Sequence, residues 1–130
     1  MVKVWTNGCF DILHRGHIEM LKYAKSLGHE LLVGLDSDEK VKKDKGENRP
    51  FNNLEDRMEV LKSIRYVDRV VAFNNRDELS RLIREYNPDF LVIGSDWKNG
   101  DVVGKEYCKN IEFFDRIGDI STTKILSYLK

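Results

Sequence analysis

Short apolar runs alternate with amphipathic stretches along most of the 130-residue chain. The apolar runs predict five strands, at residues 2–6, 30–35, 69–73, 90–93 and 111–114. In the second run Leu31, Leu32 and Val33 follow one another without a polar residue. Such continuous runs are typical of strands that are covered on both faces, as in a parallel sheet.

Helical patterns fill the intervals between these runs. We predict helices over residues 17–27, from Asn53 onward, over residues 76–86, and from Ser121 onward. The first of them places Met20, Leu21 and Ala24 on one face, and Gly28 suits the position just past its end. Residues 36–52 are polar, contain Gly46 and Pro50, and are predicted to be a long loop.

Strands that alternate with helices predict an α/β fold. We expect a Rossmann-like, doubly wound and mainly parallel five-stranded sheet in a single domain over residues 1–130. In such sheets ligands bind beyond the carboxyl ends of the strands, near the point where the strand order reverses. The turn after the first strand, the turn at Gly94 and the segment before Ser121 all follow strands, so we expect them to converge on one crevice.

The composition of the chain limits the classes of partner that it is expected to bind. The chain has 22 Lys and Arg against 22 Asp and Glu, so no global basic field favours nucleic acid. Its two cysteines do not make a disulfide framework and fit a reducing cytoplasm. Neither a signal peptide nor an apolar stretch of membrane-spanning length is visible. We therefore predict a cytoplasmic protein with no nucleic-acid or membrane partner.

Residues 7–17, NGCFDILHRGH, join the first strand to the first helix. Backbone N–H groups at a helix start are unpaired and the helix dipole favours anions there. Gly16 permits close approach of the backbone, and His14 and His17 add donors. The stretch matches neither standard glycine-rich phosphate fingerprint. A zinc site of Cys9, His14, His17 and Cys108 is the alternative, although these spacings match no usual ligand pattern.

The same stretch resembles the signature T/N-G-x-F-D-x-x-H-x-G-H of the small cytidylyltransferase-like nucleotidyltransferases. Residues 49–57 (RPFNNLEDR), 94–96 and 120–125 (ISTTKI) match further family segments in the expected order, so the resemblance covers nearly the whole chain. One similar subfamily is the adenylyltransferase domain of ADP-heptose synthases, through residues 45–46, 49–50, 94–97 and Gly104. The other is glycerol-3-phosphate cytidylyltransferase, through residues 65–68, 96–97 and Arg116.

This resemblance implies transfer of a nucleoside monophosphate from ATP or CTP to a small phosphorylated acceptor, with release of pyrophosphate. The reaction most similar is that of a heptose 1-phosphate adenylyltransferase, and the alternative is a cytidylyltransferase acting on glycerol 3-phosphate or a related compound. A non-catalytic nucleotide-binding module on the same fold is a further hypothesis. The chain keeps a set of family residues that binding alone would not require, which argues against such a module. These are His14, His17, Lys45, Arg57 and residues 121–123.

An ionised phosphate acceptor also bears on the role of the histidines. A phosphate monoester has its second pKa near ~6, so it is largely ionised at neutral pH and needs no general base. The protein must mainly hold the reactants in line and stabilise charge that grows on the phosphates. We therefore predict that His14 and His17 donate hydrogen bonds to phosphate oxygens and do not shuttle protons.

The resemblance implies the remaining site residues by position. The catalytic set is His14, His17, Lys45 and Arg116. The nucleotide-binding set is Thr6, Asn7, Gly8, Cys9, Phe10, Asp11, Gly16, Gly94, Asp96, Ile120, Ser121, Thr122 and Thr123. The acceptor-binding set is Asp38, Arg49 and Arg57, with loop ordering as the alternative for Arg49 and an exposed helix charge as the alternative for Arg57. Mg²⁺ is expected to accompany the triphosphate without a dedicated protein cage, and a homodimer is implied.

Overall fold

The computed structural model describes residues 1–98, 100–115, 117 and 121–129. In these ranges the strands are β1 (Lys3–Gly8), β2 (Glu30–Asp36), β3 (Arg69–Phe73), β4 (Phe90–Gly94) and β5 (Asn110–Phe114). The α-helices are α1 (Arg15–Ser26), α2 (Asp38–Lys45), α3 (Leu54–Lys62), α4 (Arg76–Tyr86) and α5 (Thr122–Tyr128). Single 3₁₀ turns occupy Ser95–Trp97 and Lys105–Tyr107.

The strands form one sheet in the order β3-β2-β1-β4-β5, and every neighbouring pair is parallel. The chain runs outward from the central β1 through β2 to β3 and then returns to the other side of β1 for β4 and β5. The strand order therefore reverses between β1 and β4. This arrangement confirms the predicted Rossmann-like, doubly wound sheet, and the sheet is parallel throughout.

Both faces of the sheet are covered, which explains the continuous apolar runs. Val4 packs with Leu21 of α1 on one face, whereas its neighbour Trp5 packs with Leu79 and Ile83 of α4 on the other. Leu31 and Val33 of β2 likewise share the first face, and Leu32 joins the second. Because successive side chains of a strand point to opposite faces, both faces must be apolar for the strand to be buried.

The prediction of a loop over residues 36–52 is wrong for its first half, where α2 forms. Ser37 caps this helix by accepting a hydrogen bond from Lys40 N at 3.2 Å, and Gly46, with φ of 106°, ends it. Acidic residues in its first turn and lysines in its last turn complement the helix dipole. Val41 is its buried side chain, so the apolar periodicity that reveals a packed helix is missing.

The observed bounds of α1 and β1 differ from the predicted bounds by one or two residues. Helix α1 begins at Arg15, two positions before the predicted start, because His14 serves as its N-cap. Strand β1 continues through Asn7 and Gly8, which the sequence placed in the following turn. No helix within the described ranges is long and apolar enough to cross a membrane.

Candidate functional site

A cavity of about 310 Å³ lies at the carboxyl edge of the sheet, where the strand order reverses. Its walls come from the start of α1, the ends of β4 and β5, the start of α5, and two basic side chains near α2. The described lining residues are His14, Gly16, His17, Met20, Lys45, Arg49, Gly94, Ser95, Asp96, Phe114, Ile117, Ser121, Thr122 and Thr123. The three segments that were expected to converge on one crevice therefore do so.

The two histidines are fixed by the helix start that they build. His14 Nδ1 accepts a hydrogen bond from Gly16 N at 3.0 Å, and His17 Nδ1 accepts one from His14 N at 3.2 Å. Their ring centroids are 4.0 Å apart. Since each Nδ1 is an acceptor, a neutral ring must carry its proton on Nε2. We infer that both rings offer an Nε2–H donor.

His17 is neutral at physiological pH. Burial, followed by the nearby His14 and Lys45, lowers its pKa from 6.5 to about 4. A neutral imidazole whose Nδ1 is already hydrogen-bonded can act on an anion only as an Nε2–H donor. This placement supports the predicted role as a donor to phosphate oxygens.

The lowered pKa of His17 predicts a pH dependence of folding stability. Between pH 4 and 6.5 the unfolded chain binds the extra proton and the folded chain does not, so stability should rise with pH across this window and level off above it. We expect the difference in unfolding free energy between the parent and His17→Asn to show this slope in urea titrations. A difference that stays constant from pH 4 to 7 would contradict the lowered pKa.

The turn between β1 and α1 has a strained backbone that other elements hold in place. Phe10 and Ile12 have φ of 50° and 40°, a region that non-glycine residues rarely adopt. Thr122 Oγ1 of α5 donates to Asp11 O at 2.7 Å. The Asp11 carboxylate in turn accepts from Phe51 N at 2.6 Å and Asn52 N at 3.0 Å. The turn is thus bound to α5 on one side and to residues 51–52 on the other.

Gly16 is required by the His14 ring. A Cβ at this position would lie 3.0 Å from His14 Nδ1 and 2.8 Å from His14 Cε1, and real Cβ atoms essentially never show the second distance. We expect Gly16→Ala to displace the ring and to lower kcat by up to about 10²-fold, as small misplacements of catalytic groups do. Lys22→Ala, an exposed position of the same helix, is the matched control in steady-state assays. Equal kcat values for the two variants would show that the ring tolerates the methyl group.

Arg57 does not line the cavity. It is 1% exposed, and its guanidinium donates to three main-chain oxygens, Asn52 O, Cys9 O and Asp36 O, at 3.0, 2.9 and 2.8 Å. Its Nη2 also pairs with Asp38 Oδ1 at 2.7 Å. The alternative of an exposed helix charge is therefore wrong, and the geometry gives no support to acceptor binding by Arg57 or Asp38. The pair instead joins the turn after β1 to the ends of β2 and of the α2–α3 connection.

Lys45 and Arg49 do line the cavity, and they differ in how they are held. Lys45 is the exposed last residue of α2. Arg49 is half-buried, and its Nη1 donates to Thr123 Oγ1 at 3.3 Å. Its Nε and Nη2 are buried and have no hydrogen-bond partner among the residues that the structure describes.

The predicted nucleotide-binding residues divide into two groups. Those that line the cavity are Gly16, Gly94, Asp96, Ser121, Thr122 and Thr123. Those that are not among its described lining are Thr6, Asn7, Gly8, Cys9, Phe10 and Asp11, which form the end of β1 and the strained turn. Asn7 Oδ1, for example, accepts from Trp5 Nε1 at 2.9 Å. Arg116 and Ile120 lie outside the described residues.

Four described lining residues were absent from the predicted set: Met20, Ser95, Phe114 and Ile117. Phe114 ends a predicted strand, so the rule that sites lie at carboxyl ends of strands was a signal for it. Ser95 follows Gly94 in a segment that the sequence had already singled out. The helical periodicity predicts that Met20 faces the core, and the tertiary structure shows that it also lines the cavity.

The alternative zinc site finds no support. Within the described ranges, no group of three or more His, Cys, Asp or Glu side chains is placed to hold a metal ion. Cys9 is buried and Cys108 lies beside the second 3₁₀ turn, and both are free thiols.

The sequence model of the family described as cytidylyltransferase-like matches residues 5–126. The chain belongs to the cytidylyltransferase-like family. This confirms the predicted family and, at the level of class, the predicted nucleotidyltransferase.

Curated relatives of this family member are longer proteins. The bifunctional protein HldE of Campylobacter fetus is 46% identical over 127 residues, which are 98% of this chain and 28% of that protein. The HldE of Haemophilus influenzae is 46% identical over 131 residues, covering 98% of this chain and 27% of that protein. The chain thus spans little more than a quarter of the length of these relatives.

Solved structures share the fold. The lipopolysaccharide core biosynthesis protein of Thermoplasma volcanium superposes with a TM-score of 0.73 at 25% identity, over 91% of this chain and 99% of that one. A pantoate-beta-alanine ligase of Francisella tularensis gives 0.62 at 15% identity, over 96% of this chain and 67% of that one, which shows the fold alone.

Proposed function

We propose that this domain transfers AMP from ATP to a phosphorylated sugar of the heptose 1-phosphate type and releases pyrophosphate. The observation that carries the proposal is the pair of imidazoles whose Nδ1 atoms are both occupied by backbone N–H groups at the rim of the cavity. Such rings present donors and no acceptor to the cavity, which suits phosphate oxygens and not a substrate hydroxyl that must lose a proton.

In the proposed reaction an oxygen of the acceptor's phosphate attacks the α-phosphorus of ATP. A new P–O bond forms as the bond from the α-phosphorus to the β-phosphate oxygen breaks, and pyrophosphate leaves. The attacking phosphate is already ionised, so no proton is removed. His14, His17 and Lys45 would stabilise the charge that grows on the α- and β-phosphates, in a site that holds them before the reaction begins.

The base and ribose are proposed to lie at the end of β4. Gly94 has an ordinary φ of −61°, and a Cβ added there would meet no atom of the described residues within 4 Å, its chain neighbours aside. Neither the backbone nor packing thus requires glycine, and the free space at the cavity wall suits a flat base. The resemblance of residues 45–46, 49–50, 94–97 and Gly104 to the adenylyltransferase domain of ADP-heptose synthases favours ATP over CTP.

Mg²⁺ is proposed to enter with the triphosphate and to neutralise part of its charge. Among the described lining residues Asp96 is the carboxylate, and no cluster of three ligands exists in the described ranges. These residues fit an ion held chiefly by phosphate oxygens and water, as magnesium often is.

Two further findings support a sugar phosphate as the acceptor. The HldE relatives match over 98% of this chain, and the similar Thermoplasma volcanium structure is that of a lipopolysaccharide core biosynthesis protein. On family resemblance we also propose a homodimer that forms through residues 65–68, and sedimentation velocity tests it.

A matrix of ATP and CTP against phosphorylated sugars and polyols, read by pyrophosphate release, tests the function. We expect the highest kcat/KM for ATP with a heptose 1-phosphate. If kcat/KM is highest for CTP with glycerol 3-phosphate, the protein is a cytidylyltransferase, which is the alternative function. No pyrophosphate with any pair would indicate a non-catalytic nucleotide-binding module.

A further inference from the structure

The cavity changes character along α1, from polar at the start of the helix to apolar one turn later. His17 lies in the first turn, Met20 follows it by three positions, and Tyr23 follows Met20 by three. Side chains three positions apart are neighbours on a helix, so these residues form one stripe. His17 and Met20 line the cavity, and so does Phe114 at the end of β5. The imidazole donors therefore adjoin an apolar wall that begins about 4.5 Å further along the helix axis.

Tyr23 holds Phe114 in this wall. The centroids of the two rings are 5.5 Å apart and their planes are inclined by 33°, which is an attractive arrangement for aromatic side chains. Tyr23 Oη also donates to Glu112 Oε2 at 3.3 Å, and Glu112 lies two positions before Phe114, on the same face of β5. Desolvation, followed by the nearby Glu112, raises the pKa of the Tyr23 phenol, so the phenol remains a donor. Tyr23 thus contacts the border strand β5 through both its ring and its hydroxyl.

Free space adjoins Phe114 at the cavity wall. In the parallel register of β4 and β5, Phe114 is the partner of Gly94. Both residues line the cavity, and a Cβ added to Gly94 would meet no atom of the described residues within 4 Å, its chain neighbours aside. Phe114 is half-buried, so part of its surface is open to contact. An aromatic residue beside such a space suits a flat group with apolar faces.

The order of these features matches the order of the groups in a nucleotide. Its phosphates are anionic, its base is flat, and the ribose joins the two. A sugar phosphate has an anionic group but no aromatic face. Every base has a π face that can stack on an aromatic side chain. A purine has two fused rings and therefore buries more area in such a contact than a pyrimidine does.

We propose that the Phe114 ring, positioned by Tyr23, packs against the base of the bound nucleotide and favours a purine over a pyrimidine. This inference rests on the proposed function for the presence of a nucleoside triphosphate in the cavity. It makes Phe114 a specificity-determining residue and Tyr23 a positioning residue. Neither belongs to the family segments at residues 7–17, 49–57, 94–96 and 120–125.

Equilibrium binding of ATP, CTP and inorganic tripolyphosphate, measured by isothermal titration calorimetry, tests the contact. Phe114→Leu should raise the Kd for ATP about 5- to 50-fold and the Kd for CTP less, while the Kd for tripolyphosphate, which has no base, stays within about twofold of the parent value. Phe113→Leu is the matched control. Phe113 belongs to the same strand but packs on the opposite face of the sheet and is not among the described lining residues, so all three Kd values should be unchanged.

Two variants test the positioning role of Tyr23. Tyr23→Leu removes the ring and should raise the Kd for ATP about 2- to 10-fold, with no change for tripolyphosphate. Tyr23→Phe keeps the ring and loses the bond to Glu112, so its Kd for ATP should lie between those of the parent and Tyr23→Leu. The matched control is Tyr86→Phe, because Tyr86 also donates to a carboxylate, Glu30 Oε1 at 2.8 Å, but at the amino edge of the sheet. It should bind ATP as the parent does.

A loss of affinity confined to the ligands that carry a base supports the inference even when no acceptor yields pyrophosphate, in which case only the proposed function fails. An unchanged Kd for ATP in Phe114→Leu overturns the inference. Equal losses for ATP and tripolyphosphate also overturn it, because they would indicate a purely structural role for Phe114. Equal losses for ATP and CTP overturn the purine preference.

Discussion

Replacing His17 with asparagine should lower kcat by about 10²- to 10³-fold, the usual cost of one preorganised donor to a developing anion. The asparagine Oδ1 can take the place of Nδ1 and keep the hydrogen bond from His14 N, which is 3.2 Å long in the parent. The Nε2–H donor is lost. The variant should therefore melt near the parent temperature and turn over slowly. His14→Asn should behave alike, because asparagine is also a good N-cap for α1.

Two variants control this prediction. His17→Gln places its amide near Nε2 and loses the Nδ1 acceptor, so it should keep more turnover than His17→Asn and be less stable. His29→Asn changes a histidine whose Nδ1 also accepts a backbone N–H, from Val2 at 2.9 Å, but which is not among the described lining residues. It should keep the parent kcat. A His17→Asn enzyme within about twofold of the parent would rule out the donor role.

The fold was predictable because its cause lies in local sequence. Each strand of a parallel sheet is buried on both faces, so residues such as Leu31, Leu32 and Val33 must all be apolar. Helix α2 has the opposite character. It is stabilised by its cap and its charges and buries Val41 alone, so periodicity could not distinguish it from a polar loop.

The location of the site could be predicted from the sequence, but the role of each of its residues could not. The carboxyl ends of parallel strands meet at one edge, which brought His14, Gly94 and Ser121 to one cavity. The sequence does not reveal which polar side chains contact a ligand and which form hydrogen bonds with the main chain. Asp11 belongs to the signature stretch, yet the described partners of its carboxylate are Phe51 N and Asn52 N.

The same holds for Arg57, which looks on sequence like a solvated charge of a helix. Its burial depends on residues 19 to 48 positions away, and no local pattern encodes that distance. Together with Asp11 and Thr122, it holds a turn in which Phe10 and Ile12 have unfavourable backbone angles. The histidines follow this turn directly. Their placement therefore depends on Thr122, which lines the cavity, and also on Asp11 and Arg57, which are not among its described lining residues.

Arg57→Met should lower the unfolding free energy by about 3–5 kcal/mol, as breaking a buried charge network does. The change leaves Cys9 O, Asp36 O and Asn52 O without their donor and Asp38 without its cation. Methionine fills much of the volume, so the loss reports chiefly the polar contacts. Urea unfolding at pH 7 measures it, with Arg84→Met of α4, an exposed arginine, as the matched control within about 0.5 kcal/mol of the parent.

The Asp38→Asn variant measures the contribution of the ion pair to stability separately from that of the main-chain contacts of Arg57. The pair is partly exposed on the Asp38 side, where 37% of the side chain is accessible, so its loss should cost less than the loss of the arginine. Arg57→Lys keeps the charge but cannot reach all four acceptors, and it should fall between the parent and Arg57→Met. If Arg57→Met is as stable as the parent and its acceptor KM is raised, Arg57 binds the acceptor, as the family resemblance implies. A large loss of stability in each Arg57 variant, with kcat falling as the turn loosens, is the result that the buried network predicts.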